Sequence, residues 1–261
     1  MPALKEPGFE TMPLYKYQAC PGDDDERSEW VRQIFVDHQL FFASRTSFND
    51  PFDCHVPSFL EIPGTFLKRF VEEFVDRKFP NSPEAEKVER MARLMSVSAL
   101  EDLRNGLQEE VDRAGIACFS KVRNDILMWA HYADKHRGLS LEFDGSDNCL
   151  FFGEAQPVEY EDYTPIPLSE DKERQMTRII LTKSRHWSYE QEYRIIQPGK
   201  AGTKLDYPVE LLTSVIFGCM MPDGVRRSVK QWAAEGDCRV AFFEARPTAA
   251  EFGLDIVRIE P

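Results

Sequence analysis

Residues 115–143, GIACFSKVRNDILMWAHYADKHRGLSLEF, indicate the fold class because a strand, a helix and a second strand follow one another. Gly115–Ser120 is a short, largely apolar run, which is typical of a strand. Leu139–Phe143 alternates apolar and polar residues, as a half-buried strand does. Strands and helices interleave irregularly along the whole chain, without an internal repeat. We therefore predict an α+β fold with a mixed, mainly antiparallel central sheet flanked by helices.

The helix between these two strands is predicted at Asp125–Lys135. Asn124 is placed to cap its N-terminus, and Asp125 lies where a negative charge interacts favourably with the helix dipole. Gly138, which follows two basic residues, is typical of a C-terminal stop. The face predicted to pack inward has i, i+3, i+4 and i+7 spacing and consists of Ile126, Trp129, Ala130 and Ala133.

The other regular elements follow from the same patterns. Strands are predicted at Leu14–Tyr17, Leu40–Ala43, Pro157–Tyr160, Glu192–Ile196, Ser214–Gly218, Arg239–Phe243 and Ile256–Ile259. Helices are predicted at Asp25–His38, Phe66–Lys78, Pro83–Ala114, Glu170–Ser184 and Val225–Glu235. Leu40–Ala43 is wholly apolar, so we expect it to be a central strand. Trp30 is expected to face inward from the first helix.

Residues 1–261 are predicted to form a single domain. The helical stretch within residues 60–114 is more highly charged than its flanks, and we interpret it as an α-helical insertion or lid. Ordinary helices that cover the sheet fit the same pattern equally well. The residues of this stretch that are predicted to face inward are Phe70, Phe74, Met91, Leu94, Leu100, Leu103, Leu107 and Val111.

The composition excludes wholesale disorder and a membrane span. Hydrophobic residues make up 42% of the 261 residues and aromatic residues 12%, enough to form a proper core. No apolar run approaches the roughly 18–20 residues that cross a bilayer. The N-terminal segment Met1–Pro7 has no apolar h-region typical of a signal peptide. We therefore expect a cytoplasmic protein that does not associate with membranes.

The formal net charge of −13 argues against broad, nonspecific binding of nucleic acid, which requires lysine and arginine. A local basic groove is compatible with this charge, because Lys183, Arg185, His186 and Arg194 lie close together in the sequence. The six cysteines are scattered, without the spacing of a metal knuckle, so we expect reduced thiols and no metal site.

The segment Trp187–Arg194 contains the densest group of candidate site residues. If it is a strand, Glu190, Glu192 and Arg194 point to the same side. Two carboxylates so placed repel each other, which raises a pKa unless Arg194 or a ligand lies between them. Such an arrangement is suited to binding sugar hydroxyls and to stabilising a positively charged transition state. A solvent-facing ladder of salt bridges on an edge strand is the structural alternative.

Two further segments, Trp129–Gly138 and Phe48–Asp53, are rich in polar residues. In the first, His131 lies three residues before Asp134, and this pair could fix the orientation of the imidazole; a half-buried histidine with one structural hydrogen bond is the alternative. In the second, Asn49 and Asp50 either cap their own backbone or belong to a loop that reaches the same pocket as Glu192.

These segments together resemble a bacterial family of unknown function, domain family 2971. The resemblance rests on pieces in the same order along most of the chain, outside residues 60–114: Leu14–Tyr17, Ser47–Asp53, Cys118–Ser120, Met128–Gly138, Trp187–Arg194 and Ile216–Gly218.

Glu190-Gln191-Glu192 is also similar to the Glu-x-Glu motif of the ADP-ribosyltransferases. This resemblance implies that NAD is the substrate, that Glu192 holds a ribose hydroxyl and stabilises an oxocarbenium-like transition state, and that Glu190 activates the acceptor. Lys16 or Tyr15 would replace the first-strand arginine or histidine of that superfamily, which this chain lacks, and Ser44–Ser47 would supply its Ser/Thr segment. His131 is the third residue predicted to be catalytic and would assist binding. The other residues predicted to bind substrate are Ser47, Asn49, Asp50, Trp129, Tyr132, Tyr189, Tyr193 and Arg194, with Tyr189 and Tyr193 stacking on the nicotinamide or adenine.

Three functions are therefore compatible with the sequence. The first is an NAD-dependent enzyme of ADP-ribosyltransferase type, acting on a small-molecule or nucleotide substrate as a toxin or phage-defence effector. The second is a nuclease or hydrolase in which His131, His136, Asp134 and Glu192 supply acid–base groups. The third is a protein-binding module whose partner contacts the Phe48–Asp53 loop and the helical stretch.

Overall fold

The computed structural model describes residues 12–22, 26–59, 62–146, 151, 154–162 and 172–260. Met1–Pro7, Cys149 and the start of the helix predicted at Glu170–Ser184 lie outside these ranges. The strands are β1 Pro13–Gln18, β2 Gln39–Phe42, β3 Gly115–Ser120, β4 Leu139–Asp144, β5 Gln156–Pro157, β6 Glu159–Glu161, β7 Thr182–Ser184, β8 Glu192–Gln197, β9 Thr203–Asp206, β10 Leu212–Phe217, β11 Ala241–Pro247 and β12 Leu254–Ile259. The α-helices are α1 Glu26–Val36, α2 Gly64–Lys78, α3 Glu84–Leu94, α4 Val97–Arg113, α5 Ile126–Tyr132, α6 Lys172–Leu181 and α7 Asp223–Glu235.

The central sheet of the described chain has eight strands in the order β12-β11-β10-β4-β1-β3-β8-β5. β10 and β11 are parallel, and the other neighbouring pairs are antiparallel. This architecture confirms the predicted α+β class and the mixed, mainly antiparallel sheet. β4 illustrates why the prediction succeeded: Leu139, Leu141 and Phe143 are completely buried on one face of the strand, as the alternation indicated.

The two faces of the sheet are covered by different helices. On one face, Leu14 and Leu141 pack with Phe35 of α1 and Val229 of α7. On the other face, Tyr15 packs with residues of α5 in a second apolar cluster. Leu14 and Tyr15 follow each other on β1, so their side chains leave the sheet on opposite faces.

β2 is not a central strand, contrary to the prediction from its apolar sequence. It pairs with β9 in a separate two-stranded sheet, and within the described residues a bridge between Ala43, which follows β2, and Ile116 joins this segment to β3. Phe41 is 41% exposed, because the side chains of β2 alternate and only Leu40 and Phe42 enter the core. β9 was not predicted, because its sequence is short and mostly polar and contains no apolar run.

The helical stretch within residues 62–114 contains three helices, because the single helix predicted at Pro83–Ala114 is interrupted. The Ser96 hydroxyl accepts a hydrogen bond from the backbone N–H of Ala99 at 3.3 Å, which starts α4 as a new helix. Buried Leu107 shares an apolar cluster with Ile116 of β3 and Ile180 of α6. The description of this stretch as an insertion or lid, within one domain of residues 1–261, stays a prediction.

Two apolar residues do not face the core as their helical positions predicted. Leu103 on α4 is 44% exposed, because the buried stripe of this helix consists of Leu100, Leu107 and Val111. Trp30 on α1 is 46% exposed, although Val31, Ile34 and Phe35 on the same helix are buried. None of the helices in the described part of the chain combines the length and apolar character that a bilayer span requires.

α5 begins and ends differently from the predicted helix. Asp125, rather than Asn124, is its N-cap, since the Asp125 carboxylate accepts hydrogen bonds from the N–H groups of Leu127 and Met128 at 2.8 and 3.0 Å. The helix stops at Tyr132, before a turn in which Asp134, Lys135 and His136 all have positive φ.

The buried face of α5 also differs by one position from the predicted one. Ile126 is 40% exposed, whereas Met128 and Trp129 are buried. Gly138 does not stop the helix but closes the turn after it: its N–H donates to the carbonyl of Ala133 at 2.7 Å. A Cβ on Gly138 would lie 2.1 Å from the carbonyl oxygen of Gln18, so only glycine fits there.

Candidate functional site

The candidate site lies where the central sheet opens between β1 and β3. β1 pairs with β4 along six positions, but in the described chain its register with β3 is limited to Tyr15 opposite Ser120. The Lys16 Nζ donates a hydrogen bond to the carbonyl oxygen of Cys118 at 3.3 Å across the opening. A cavity of about 420 Å³ occupies this place and is lined by residues of both strands.

The three polar segments of the sequence all contribute to the wall of this cavity. The predicted site residues that line it are Tyr15, Lys16, Ser47, Asn49, His131, Tyr132, Glu190, Glu192 and Arg194. The Asn49 side-chain amide donates to the Tyr132 hydroxyl at 3.4 Å, and the Tyr132 hydroxyl donates to the Glu190 carboxylate at 2.5 Å. These two bonds join the Phe48–Asp53 loop, α5 and the glutamates into one site.

Tyr15, Ser120 and Glu192 lie at the same level of the sheet on three neighbouring strands. Tyr15 is opposite Ser120 in the β1–β3 register, and Ser120 is opposite Glu192 in the β3–β8 register. Residues that face each other in neighbouring strands have side chains on the same face of the sheet. The three side chains therefore form a row beside the opening.

Glu192 also belongs to a buried group of charged side chains. We call this group the ion-pair network, and it consists of Asp53, Lys183, Glu190, Glu192 and Arg194. Arg194 has no exposed side-chain surface. Its guanidinium donates two hydrogen bonds to the Asp53 carboxylate, of 2.8 and 2.6 Å, and two to the Glu192 carboxylate, of 2.7 and 2.9 Å. A fifth bond, of 2.6 Å, reaches the carbonyl oxygen of Ile180. All five N–H groups of this arginine are thus satisfied.

Lys183 connects the two glutamates. Its ammonium lies 2.5 Å from a Glu190 oxygen, 3.1 Å from a Glu192 oxygen and 3.5 Å from an Asp53 oxygen. Burial disfavours the charged lysine, but the carboxylates, of which Glu192 has the largest effect, more than offset this and raise the pKa of Lys183. The position of Lys183 follows from α6, which ends at Leu181 and not at Ser184, so that β7 carries the lysine into the site.

The period-two pattern predicted that Glu190 and Glu192 share one strand, but they lie on different elements. Glu190 ends a 3-10 helix, Arg185–Glu190, and Gln191 adopts the left-handed conformation with a φ of 43° before β8 begins. The two carboxylates nevertheless approach the same ammonium. Glu190 and Glu192 are 2% and 6% exposed, so the alternative of a solvent-facing salt-bridge ladder is wrong.

The environments of the two glutamates shift their pKa values in opposite directions. For Glu190, burial has the largest effect and raises the pKa, with repulsion from Glu192 adding to it against the attraction of Lys183. Burial alone would also raise the pKa of Glu192, but Arg194 and Lys183 outweigh it and lower this pKa to about 2. Glu192 is therefore an ionised carboxylate at neutral pH, while Glu190 takes up a proton more readily than an ordinary glutamate.

His131 is exposed and lies in an aromatic group at the edge of the cavity. Its Nδ1 lies 3.0 Å from the Tyr189 hydroxyl, and its ring contacts Trp187. The expected pairing of His131 with Asp134 is absent from this geometry, because Asp134 forms its ion pair with Arg137 at 3.3 Å. Of the four acid–base residues named for a nuclease or hydrolase, His131 and Glu192 line the cavity, whereas Asp134 and His136 do not. That alternative stays a prediction.

Four predicted site residues do not line the cavity. Asp50 accepts a hydrogen bond from the N–H of Phe52 at 2.9 Å, which is the backbone-capping alternative. Trp129 is completely buried and donates to the carbonyl of Arg123. Tyr193 leaves β8 on the face opposite to Glu192 and packs in the core around α1 and α7. Tyr189 contacts His131 and Trp187 at the edge of the cavity and packs against the apolar cluster around α5.

Three residues of the site were missed as site residues: Asp53, Ser120 and Lys183. The Ser120 hydroxyl donates to the backbone carbonyl of Glu190 at 2.6 Å and fixes the end of the 3-10 helix. Asp53 lies 141 residues from its partner Arg194 in the sequence. A buried charge needs a partner of opposite sign. The apolar residues next to Arg194 in the sequence indicate that this arginine is buried, so a distant carboxylate partner could have been predicted from them.

The cavity is less acidic than the protein. Its charged lining residues within the described chain are the cations Lys16, Lys183, Arg194 and Lys204 and the carboxylates Asp53, Glu190 and Glu192. Among the described residues, no group of three or more His, Cys, Asp or Glu side chains has the arrangement to hold a metal ion. The carboxylates of the ion-pair network face lysine and arginine instead.

Comparisons with known proteins identify one similarity. Residues 128–195 match the profile of DUF2971, a family described as proteins of unknown function. This match supports the resemblance to domain family 2971, and the matched segment contains α5 from Met128 onward, Lys183 and both glutamates. Searches of curated proteins and of solved structures found no match. The resemblance to ADP-ribosyltransferases has no support from these comparisons.

Proposed function

We propose that this protein is an enzyme of ADP-ribosyltransferase type that breaks the bond between ribose and nicotinamide in NAD. The observation that favours this function most is the row of Tyr15, Ser120 and Glu192 on three neighbouring strands beside a cavity, with Glu190 next to it. The resemblance implies a first-strand residue, here Tyr15, and a catalytic glutamate, here Glu192. It gave the Ser/Thr segment to Ser44–Ser47, whereas the strand between Tyr15 and Glu192 carries Ser120.

Glu192 supplies negative charge at the reacting carbon. Departure of nicotinamide takes the electron pair of the C–N bond with it and leaves an oxocarbenium-like cation on the ribose. A carboxylate with a pKa of about 2 is fully ionised at neutral pH and stabilises that cation, and Arg194 holds it in place before the reaction begins. The role of Glu192 is electrostatic, because Arg194 and Lys183 hold its oxygens and keep it ionised.

Glu190 moves the proton of the acceptor. Once the ribose carbon is cationic, an oxygen of water or of an acceptor hydroxyl bonds to it, and the proton of that oxygen passes to Glu190. The raised pKa of Glu190 suits a group that accepts a proton more readily than an ordinary glutamate does. Two carboxylates whose pKa values move apart are typical of such a division of roles.

The biological setting that agrees with this reaction is a toxin or phage-defence effector. NAD consumption, or modification of an essential target, arrests the growth of a cell. We therefore include this role in the proposal, with a small-molecule or nucleotide acceptor, or a protein acceptor, as the second substrate.

The test measures nicotinamide release from NAD by the purified protein, with water and with cell extract as sources of acceptor. Glu192→Gln should lower the rate about 10²- to 10³-fold, because the amide has no charge to stabilise the cation. Glu210→Gln is the matched control: Glu210 is exposed and lies outside the cavity, so its rate should equal that of the wild type. Absence of nicotinamide release from the folded wild-type protein under both conditions contradicts the proposal.

A further inference from the structure

We infer that the cavity continues into a second binding place, the aromatic subsite, formed by Trp30 of α1 and Phe41 of β2, which takes a flat heteroaromatic ring of the nucleobase type. Trp30 and Phe41 both line the cavity that contains Glu190 and Glu192. Their rings are nearly parallel, at 15°, with centroids 6.2 Å apart. The identity of the ring as the adenine of NAD rests on the proposed function; its chemical class does not.

The exposure of these two side chains argues for a ligand. Trp30 is 46% exposed and Phe41 is 41% exposed, in contrast to the completely buried Phe35 and Phe42 on the same two elements. Exposed apolar surface costs about 25 cal/mol per Å², so neighbouring exposed aromatic rings are a feature of binding surfaces. A flat ring that stacks on them removes this surface from water.

The charges near the aromatic subsite fit a phosphate. Lys16 leaves β1 on the face opposite to Tyr15, and its ammonium lies 5.1 Å from the centre of the Phe119 ring. Lys204 of β9 also lines the cavity, and its ammonium lies 2.5 Å from the side-chain oxygen of Gln33. An ammonium has three N–H donors, so each lysine can bind a phosphate oxygen in addition to its present partner.

The carboxylates lie on the other side of the sheet opening. Glu192 shares a face of β8 with Arg194, on the face of the sheet that carries Tyr15, whereas Lys16 lies on the opposite face. A nucleotide that passes through the opening therefore has its ring at Trp30 and Phe41, its phosphate near Lys16 and Lys204, and its reacting ribose near the glutamates.

The experiment uses adenosine monophosphate as the probe and ribose 5-phosphate, which lacks the ring, as its comparison. Binding to the full chain is measured by calorimetry for the wild type, Trp30→Leu and Phe41→Leu. Loss of one stacking partner should weaken adenosine monophosphate binding about five- to hundredfold. Binding of ribose 5-phosphate should be the same in all three proteins. Phe66→Leu is the matched control, since Phe66 is 53% exposed on α2 and lies outside the cavity.

Two outcomes overturn this inference: the wild type does not bind adenosine monophosphate, or both Trp30→Leu and Phe41→Leu bind it as the wild type does. Adenosine monophosphate contains no nicotinamide, so the result does not depend on catalysis. If the predicted binding pattern is found while NAD remains intact, the proposed reaction fails and the aromatic subsite stands. If NAD is cleaved while binding is insensitive to Trp30 and Phe41, the subsite fails alone.

Discussion

Arg194 determines the geometry of the candidate site through the hydrogen bonds of its five N–H groups. It fixes Glu192 on its own strand and Asp53 in a distant loop, and it is completely buried. Such an arginine holds two carboxylates in place only while all of its donors are occupied, because an unpaired charge in the protein interior is expensive. The role assigned to Arg194 is therefore to position Glu192, without contact to the substrate.

Replacing Arg194 should be strongly destabilising. Arg194→Met leaves Asp53 and Glu192 buried with Lys183 as their remaining cation, and we expect the free energy of unfolding to fall by about 3–5 kcal/mol. Denaturant titration measures this change. Arg185→Met is the matched control: its side chain is 60% exposed, its ion pairs are 3.6 Å or longer, and its loss should cost less than about 1 kcal/mol. Equal effects of the two substitutions contradict the role given to Arg194.

Individual residues of the site could be predicted only where a sequence motif indicates their chemical role. The Glu-x-Glu motif identified Glu190 and Glu192. The period-two pattern did not predict the left-handed conformation of Gln191, which lies between them. The sequence indicated Lys183 only as part of a basic cluster, because its three carboxylate partners become neighbours only in the folded chain. Tyr193 was assigned to the site through its proximity to Glu192 in sequence, but it faces the other side of the sheet.

At the scale of elements, α5 positions Tyr132 against Glu190, and its N-terminal cap determines where it begins. The Asp125 carboxylate accepts two backbone hydrogen bonds, whereas the Asn124 side-chain amide lies 3.5 Å from the carbonyl of Leu254. Asp125→Ala should therefore lower the free energy of unfolding by about 1 kcal/mol. Asn124→Ala should change it by less than about 0.5 kcal/mol. Thermal or denaturant unfolding of both variants distinguishes them, and a larger loss in Asn124→Ala would assign the cap to the wrong residue.

Strands were predictable from sequence where both the apolar pattern and the burial agreed. β3, β4 and β8 have buried residues at alternating or consecutive positions and lie next to one another or next to β1 in the sheet. β2 was assigned to the centre of the sheet because its sequence is apolar, yet Phe41 is exposed toward the cavity. The apolar character of Phe41 therefore reflects the aromatic subsite that we infer, since a residue that binds a ring has the same sequence signal as a residue of the core.

At the scale of the whole molecule, net charge and local charge differ. The chain has a formal net charge of −13, while the cavity is lined by four cationic and three anionic side chains of its described residues. An acidic exterior repels nucleic acid polymers, but the lysines of the cavity are compatible with the proposed binding of the phosphates of one nucleotide. The absence of nonspecific nucleic-acid binding stays a prediction from composition, and the site could be defined only after residues far apart in sequence had been brought together.

The central claim is that Glu190 moves a proton while Glu192 supplies charge, and the pH dependence of nicotinamide release tests it most directly. The maximal rate kcat with NAD is measured from about pH 5 to about pH 9 for the wild type, Glu190→Gln and Glu192→Gln. A base must be ionised to accept a proton, and burial raises the pKa of Glu190. The wild-type kcat should therefore increase with pH through an ionisation above the usual glutamate range and then become constant.

Glu190→Gln should lack this pH-dependent increase and should be about 10²- to 10⁴-fold slower on the plateau. Glu192→Gln should be slower at every pH and should retain an increase with pH, since Glu190 is still present. A Glu190→Gln variant with the pH profile of the wild type, or a Glu192→Gln variant with the wild-type rate, would contradict the division of roles between the two glutamates.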